Sequence, residues 1–177
     1  RVPERVNGRV QVIAGTGANS TAEAIELTKA VLDLGCDATL QVTPYYNKPS
    51  DDGLLAHFTA VADLGLPVML YNVPGRSGKA LSMDLISACV QHPNIVAVKE
   101  AGGSVDRVSQ LLTRHPDLCV LSGDDPLTLP MMSVGACGVV SVASNAVPNR
   151  VLEVVTAALN GEWDKARSEE RRVGKEC

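Results

Sequence analysis

The stretch NIVAVKEAGG, residues 94 to 103, runs apolar for the four residues after Asn94 and then, without a turn signal, presents Lys99 and Glu100 before a pair of glycines. Strand alternation places Ile95, Ala97 and Lys99 on one face and Val96 and Val98 on the other, so the lysine continues an apolar face. A lysine so placed either carries its ammonium out to solvent or a carboxylate, or it works as an amine. Desolvation disfavours an ammonium, and the free amine that results can form a Schiff base with a carbonyl substrate.

Other residues could serve such an amine. In PVMLYNV, residues 67 to 73, Met69 and Tyr71 share a face, and Tyr71 lies near the carboxyl end of the run, one strand before Lys99. Imine chemistry needs protons delivered to a carbinolamine oxygen and removed again, which a positioned phenol can do. The alternative is a half-buried strand tyrosine with a satisfied hydroxyl. Arg76 follows in NVPGRSG, where a guanidinium fork could grip a carboxylate or simply stay solvated. In VTPYYNKPS, residues 42 to 50, two adjacent tyrosines point opposite ways if the backbone is extended, so one can face the site and the other a different surface. GTGANS, residues 15 to 20, is a weak phosphate-loop match, because it lacks both the last glycine of GxGxxG and a GK[ST] ending. Glycines for a tight turn and a capping serine account for it better. Asp124 and Asp125 in SGDD are expected to turn the chain and cap the next helix.

Composition narrows the class. The 177 residues carry a net charge of -4 and are 45% hydrophobic, as expected for one globular domain. No basic run with interleaved aromatics is present, and an aromatic fraction of 3% leaves few stacking platforms for nucleic acid. No apolar run approaches the ~20 residues of a membrane-spanning helix. Five cysteines, Cys36, Cys89, Cys119, Cys137 and Cys177, are odd in number and lack CxxC spacing, which reads as reduced, cytoplasmic thiols. His57, His92 and His115 have no metal-ligand spacing, so a metal-free mechanism is expected.

These residues must be held by a repeating scaffold. Six apolar runs read as strands: 11 to 15, 38 to 42, 67 to 73, 94 to 100, 118 to 123 and 137 to 144. Helical patterns lie between them. Ser20 with Glu23 forms a capping-box pattern, Ser50, Ser82 and Ser104 are candidate N-caps, and Asp125 precedes Pro126 at a first helical position. In the first of these helices Ala24, Leu27, Val31 and Leu34 are expected to make one face, with Gly35 as the stop. The βα rhythm predicts a parallel sheet. Every strand delivers polar or glycine-rich residues at its carboxyl end, which favours a barrel over an open sheet with one switch point. A (β/α)8 TIM barrel needs eight strands and about 250 residues, so an α/β fold with an incomplete barrel is expected. The predicted catalytic domain covers residues 1 to 166, and the tail RSEERRVGKEC, residues 167 to 177, reads as non-native.

Together, VTPYYNKPS, LYNVPGRSG and VKEAGG, preceded by GTGANST and followed by SGDD and GVVSV, closely resemble the dihydrodipicolinate synthase family of pyruvate-dependent lyases and aldolases. The resemblance covers residues 7 to about 166. It implies a (β/α)8 barrel of which this chain supplies about strands three to eight, and a covalent imine of pyruvate on Lys99 with no cofactor and no metal. Carried over, Tyr71 and Tyr46 become a proton relay, with Tyr46 entering a neighbouring subunit's site. Arg76 would hold the carboxylate of L-aspartate 4-semialdehyde, while Gly123 and Val140 would line the pyruvate pocket. Asn19, Glu23 and Tyr45 match a feedback site for L-lysine, and the family suggests a homotetramer. The family's threonine motif and first two strands have no counterpart here, so the chain alone is expected to be inactive and prone to aggregate. Rival readings are an N-acetylneuraminate lyase or keto-deoxy sugar acid aldolase, against which the arginine of NVPGRSG and the double tyrosine argue, a noncatalytic barrel remnant, and a phosphate-binding barrel enzyme resting on GTGANS alone.

Overall fold

The computed structural model describes residues 2–176; Cys177, set aside above with the tail, lies outside the described residues. The elements run α1 (Val2–Val6), β1 (Ile13–Gly15), α2 (Thr21–Asp33), β2 (Ala38–Val42), α3 (Asp51–Ala62), β3 (Val68–Asn72), α4 (Pro74–Ser77), α5 (Met83–Cys89), β4 (Ile95–Glu100), α6 (Val105–Arg114), β5 (Cys119–Ser122), α7 (Thr128–Ser133), β6 (Gly138–Val139), α8 (Pro148–Leu159) and α9 (Trp163–Glu176). The six strands follow one another in the sheet in chain order, and a helix separates each strand from the next, the α/β alternation expected from the sequence. The chain divides into two compact units, Arg1–Val98 and Lys99–Cys177, with the boundary inside β4.

In the first unit β1 pairs parallel with β2, from Ile13 with Ala38 to Gly15 with Leu40. β2 pairs parallel with β3, from Thr39 with Val68 to Val42 with Tyr71. The core is formed by Leu54, Phe58 and Val61 of α3 against Val68 and Leu70 of β3 and Ile86 of α5, all fully buried. Each such side chain contributes roughly 1.5–3 kcal/mol on burial. Beside this apolar core lies a polar one. The Gln41 amide donates to the hydroxyls of Thr16 at 2.6 Å, Thr39 at 2.9 Å and Thr28 at 3.2 Å, and Thr16 also bonds Thr39. The network ties the residue after β1 to β2 and to α2.

That network explains one departure from expectation. The buried stripe of α2 is Ala24 with Thr28, whereas Leu27 and Leu34, expected on the core face, are exposed. Thr28 turns inward because its hydroxyl reaches Thr16 at 2.8 Å, which carries the leucine stripe outward. The four serine N-cap signals and the glycine stop of α2 are borne out. Ser20, Ser50, Ser82 and Ser104 each accept the amide three residues on, and Gly35, at φ +75, follows the end of α2.

In the second unit β5 pairs parallel with β6, Leu121 with Gly138 and Ser122 with Val139. Val108 and Leu111 of α6, Val120 of β5 and Met131 of α7 are fully buried. The sixth strand is shorter than the predicted run 137 to 144. The Asp125 carboxylate accepts the amides of Val142 and Ala143 at 2.9 and 3.0 Å, pulling them out of the sheet into a 3-10 turn at Ala143–Asn145. Asp125 is thereby spent on this loop. The N-cap of its own 3-10 turn, Asp125–Leu127, is Asp124, which makes no side-chain cap bond. Helix α9 runs through residue 167 without a break, with Ala166 fully buried and Glu169 paired to Arg150 at 3.3 Å and to Arg172 at 2.8 Å. Among the described residues no helix is long and apolar enough to cross a membrane.

Candidate active site

The second unit opens with Lys99. Along β4, Ile95 and Ala97 are buried and Lys99, on the same face, is half-buried. Glu100 points to the opposite face and is fully buried. One carboxylate oxygen accepts the Gly102 amide at 2.7 Å, and the other accepts Arg107 Nε at 2.9 Å. Arg107 sits in the first turn of α6, whose N-cap Ser104 takes its amide. The pair therefore fixes the turn that follows Lys99 and the start of the next helix together.

Strand β5 ends against this turn. The Gly123 amide donates to the Glu100 carbonyl at 2.8 Å. A Cβ at position 123 would lie 2.6 Å from the Ala101 Cβ, 3.0 Å from the Lys99 Cε and 3.3 Å from the Glu100 carbonyl oxygen. Glycine is thus required for the backbone to come so close to the lysine's side chain. Val140 donates its amide to Ser122 at 2.8 Å, so Lys99, Gly123 and Val140 belong to the carboxyl ends of three successive strands of this unit.

The first unit holds the remaining candidates. Tyr71 is the penultimate residue of β3 and half-buried, beside buried Leu70 and Met69. Its carbonyl accepts both the amide and the hydroxyl of Thr43, at 3.0 and 2.9 Å. Arg76 is exposed in the short helix α4, which begins at Pro74 and ends on Gly78 at φ +71. The loop is pinned on both sides. Asn72 accepts the Leu81 amide at 2.9 Å, and Ser77 donates to the carbonyls of Val73 and Lys79. Lys79 in turn pairs with Asp51 at 2.7 Å, and together with the Ser82 hydroxyl it holds the Asp51 carboxyl below its ordinary range.

Tyr45 and Tyr46 are both exposed in the loop after β2. Tyr46 is 91% exposed with φ +73, a left-handed conformation that costs a side chain roughly 1–2 kcal/mol. Asn19 donates to the Tyr45 carbonyl at 3.3 Å and accepts from Asn47 at 3.0 Å, so these loops are joined, with Glu23 exposed on the first turn of α2 nearby in sequence. The amides of Thr16 and Gly17 are taken by the Leu40 carbonyl, and a side chain at 17 would collide with the backbone of Val42. Gly17 therefore serves a close approach of the backbone to β2, whereas a side chain at Gly15 would meet nothing within 4 Å, and Ser20 caps α2 as expected.

The sequence reading passed over Glu100 and Arg107. Alternation alone sends Glu100 away from the Lys99 face, and a carboxylate sent under a helix needs a cation from that helix. Arg107, three residues past the capping serine, is the signal that could have been used.

The family model for the dihydrodipicolinate synthetase family matches residues 1–175. The 4-hydroxy-tetrahydrodipicolinate synthase of Methanospirillum hungatei is 49% identical over 166 residues, 93% of this chain and 57% of that protein. Among solved structures, the 4-hydroxy-tetrahydrodipicolinate synthase of Methylacidiphilum fumariolicum SolV superposes with a TM-score of 0.94 at 51% identity, over 96% of this chain and 57% of its own. The dihydrodipicolinate synthase of Acinetobacter baumannii, solved in complex with pyruvate, gives 0.92 at 45% identity, over 96% of this chain and 59% of its own. The chain spans less than three-fifths of the length of each of these proteins.

Proposed function

The chain belongs to the dihydrodipicolinate synthetase family, and on that premise we propose that the whole protein is a Schiff-base-forming lyase. It condenses pyruvate with L-aspartate 4-semialdehyde to 4-hydroxy-tetrahydrodipicolinate, for lysine biosynthesis. The observation that carries the reading is the space beside Lys99. A side chain at 123 would meet the Lys99 Cε at 3.0 Å, so glycine leaves the amine room for a small keto acid.

In this proposal the Lys99 Nζ attacks the pyruvate keto carbon, and the carbinolamine loses water to give an imine. Loss of a methyl proton gives an enamine, whose carbon attacks the aldehyde. The substrate amine then closes on the imine carbon and releases Lys99. No cofactor takes part in this proposed sequence. Gly123 and Val140 line the pyruvate end. Arg76, exposed on its pinned loop, binds the carboxylate of the semialdehyde. Tyr71 and Tyr46 move the protons.

Tyr46 is nearly fully exposed and held in a strained conformation. That supports a role outside its own subunit, reaching a neighbour's site in a homotetramer. The joined loops of Asn19 and Tyr45, with Glu23, are proposed as the site for L-lysine as feedback inhibitor. The six strands are proposed as barrel strands three to eight, in a catalytic domain of residues 1 to 166.

The test is borohydride reduction of the whole protein in the presence of pyruvate, followed by peptide mapping. An adduct on Lys99, lost in Lys99→Ala, is expected. An adduct on another lysine, or none in a folded protein, overturns the reading.

A further inference from the structure

Arg76 sits on a segment whose position its own local structure does not set. Helix α4 is a single turn of four residues, Val73 at its N-cap makes no side-chain cap bond, and Pro74 occupies the first helical position. The turn closes on itself, with the amides of Arg76 and Ser77 on the Val73 carbonyl and that of Gly78 on the Pro74 carbonyl, each at 2.9 Å. A helix so short is far below the ~12–15 residues at which helices begin to hold without packing. Its place against the end of β3 must come from elsewhere.

It comes from buried polar groups. Asn72, the last residue of β3, is 1% exposed, and its Oδ1 accepts the amide of fully buried Leu81, nine residues on, at 2.9 Å. Inside that arc Ser77, 2% exposed, has its hydroxyl 2.8 Å from the Lys79 carbonyl and 3.1 Å from that of Val73. Enclosed polar groups carry a desolvation cost that an apolar side chain of like size avoids. What these two supply is a fixed course for residues 73 to 81. Of the two cations in the arc, Lys79 is taken by Asp51 at 2.7 Å and Arg76 is exposed. Alternation along β3 turns Asn72 away from the face of Tyr71, so a change at 72 reaches the site through the arc.

We propose that Asn72 and Ser77 are positioning residues for Arg76, and that through it they set the preference of the site for an aldehyde bearing a carboxylate. The inference rests on the assignment of Arg76 to the carboxylate of L-aspartate 4-semialdehyde. A guanidinium grips a carboxylate through two parallel hydrogen bonds of fixed geometry, and that geometry is available only where the arc holds the arginine's backbone in one place. Asn72 and Ser77 touch neither substrate in this account. Pyruvate capture by Lys99 makes no use of the arc and proceeds without it.

The test measures steady-state kinetics for each substrate in the whole protein, beside borohydride trapping of pyruvate and urea unfolding. One hydrogen bond to a charged group corresponds to on the order of 10- to 100-fold in binding. KM for the semialdehyde should rise within that range in Asn72→Ala and in the same direction in Ser77→Ala, while kcat, KM for pyruvate and the trapping rate stay at the unmutated values. In Arg76→Met, which removes the guanidinium, adding Ser77→Ala should raise that KM no further. An unmoved KM for the semialdehyde in a folded variant, an equal rise in both KM values, or an additive rise in the double variant overturns the proposal. Ser77→Ala deletes one oxygen atom, so it decides the matter if Asn72→Ala does not fold. No trapping in the unmutated protein would instead bring down the reading of Lys99, and this proposal with it.

Discussion

Replacing Gly123 with alanine tests how the lysine is positioned. The new methyl would sit 2.6 Å from the Ala101 Cβ and 3.0 Å from the Lys99 Cε, where carbon atoms rest at about 3.5–4.0 Å. Something must move by roughly 1 Å to restore that spacing. The Ala101 methyl rides on a backbone held by the Gly123 amide on the Glu100 carbonyl and by the Glu100 carboxylate on the Gly102 amide and Arg107. The Lys99 side chain is the softer neighbour and yields first. Overpacking of this kind costs about 1–3 kcal/mol of stability. An amine displaced by about 1 Å loses on the order of 100-fold in rate. The assay is the rate of pyruvate trapping by borohydride in Gly123→Ala, run beside urea unfolding of the same sample. A variant that traps pyruvate at the unmutated rate, with an unmoved unfolding midpoint, would refute the argument that glycine makes room beside Lys99.

Arg107→Met leaves the fully buried Glu100 without its guanidinium, and the urea midpoint should fall by the equivalent of roughly 3–5 kcal/mol; Arg107→Lys should recover part of that loss. His57 is buried with its Nδ1 on the Thr21 hydroxyl at 2.9 Å, and desolvation lowers its pKa from 6.5. The unfolded chain then binds the extra proton first, so the stability from this group is complete above about pH 6.5 and is lost as pH falls toward the folded value. Urea midpoints from about pH 7.5 to about pH 5 should decline in the unmutated protein and decline less in His57→Asn. Ser104→Ala removes the acceptor for the Arg107 amide at 3.2 Å and should cost about 1 kcal/mol in the same assay. An unchanged midpoint would show that the start of α6 is held by Glu100 and Arg107 alone.

Local signals were enough for much of this protein. Strand alternation gave Lys99 its buried face, the capping serines placed four helix starts within a residue, and the strand and helix rhythm gave the parallel sheet. The motifs around Lys99, Tyr71 and the double tyrosine sufficed to place the chain in its family. These features are written in spacings of two to four residues, which is the range over which backbone geometry repeats.

What escaped the sequence depends on groups far apart along it. The core face of α2 was expected to carry Leu27 and Leu34 with Ala24, and carries Thr28 beside Ala24 instead, because Gln41 and Thr16 lie beneath it. The last strand lost its second half to Asp125, seventeen residues upstream. The need for glycine at 123 arises only when the end of β5 is brought against Lys99 and Ala101. Sequence determined which elements form and which family the chain belongs to. The tertiary structure decided which buried polar groups satisfy one another, because a desolvated hydroxyl or carboxylate takes the partner that packing brings to it, whatever its position in the chain.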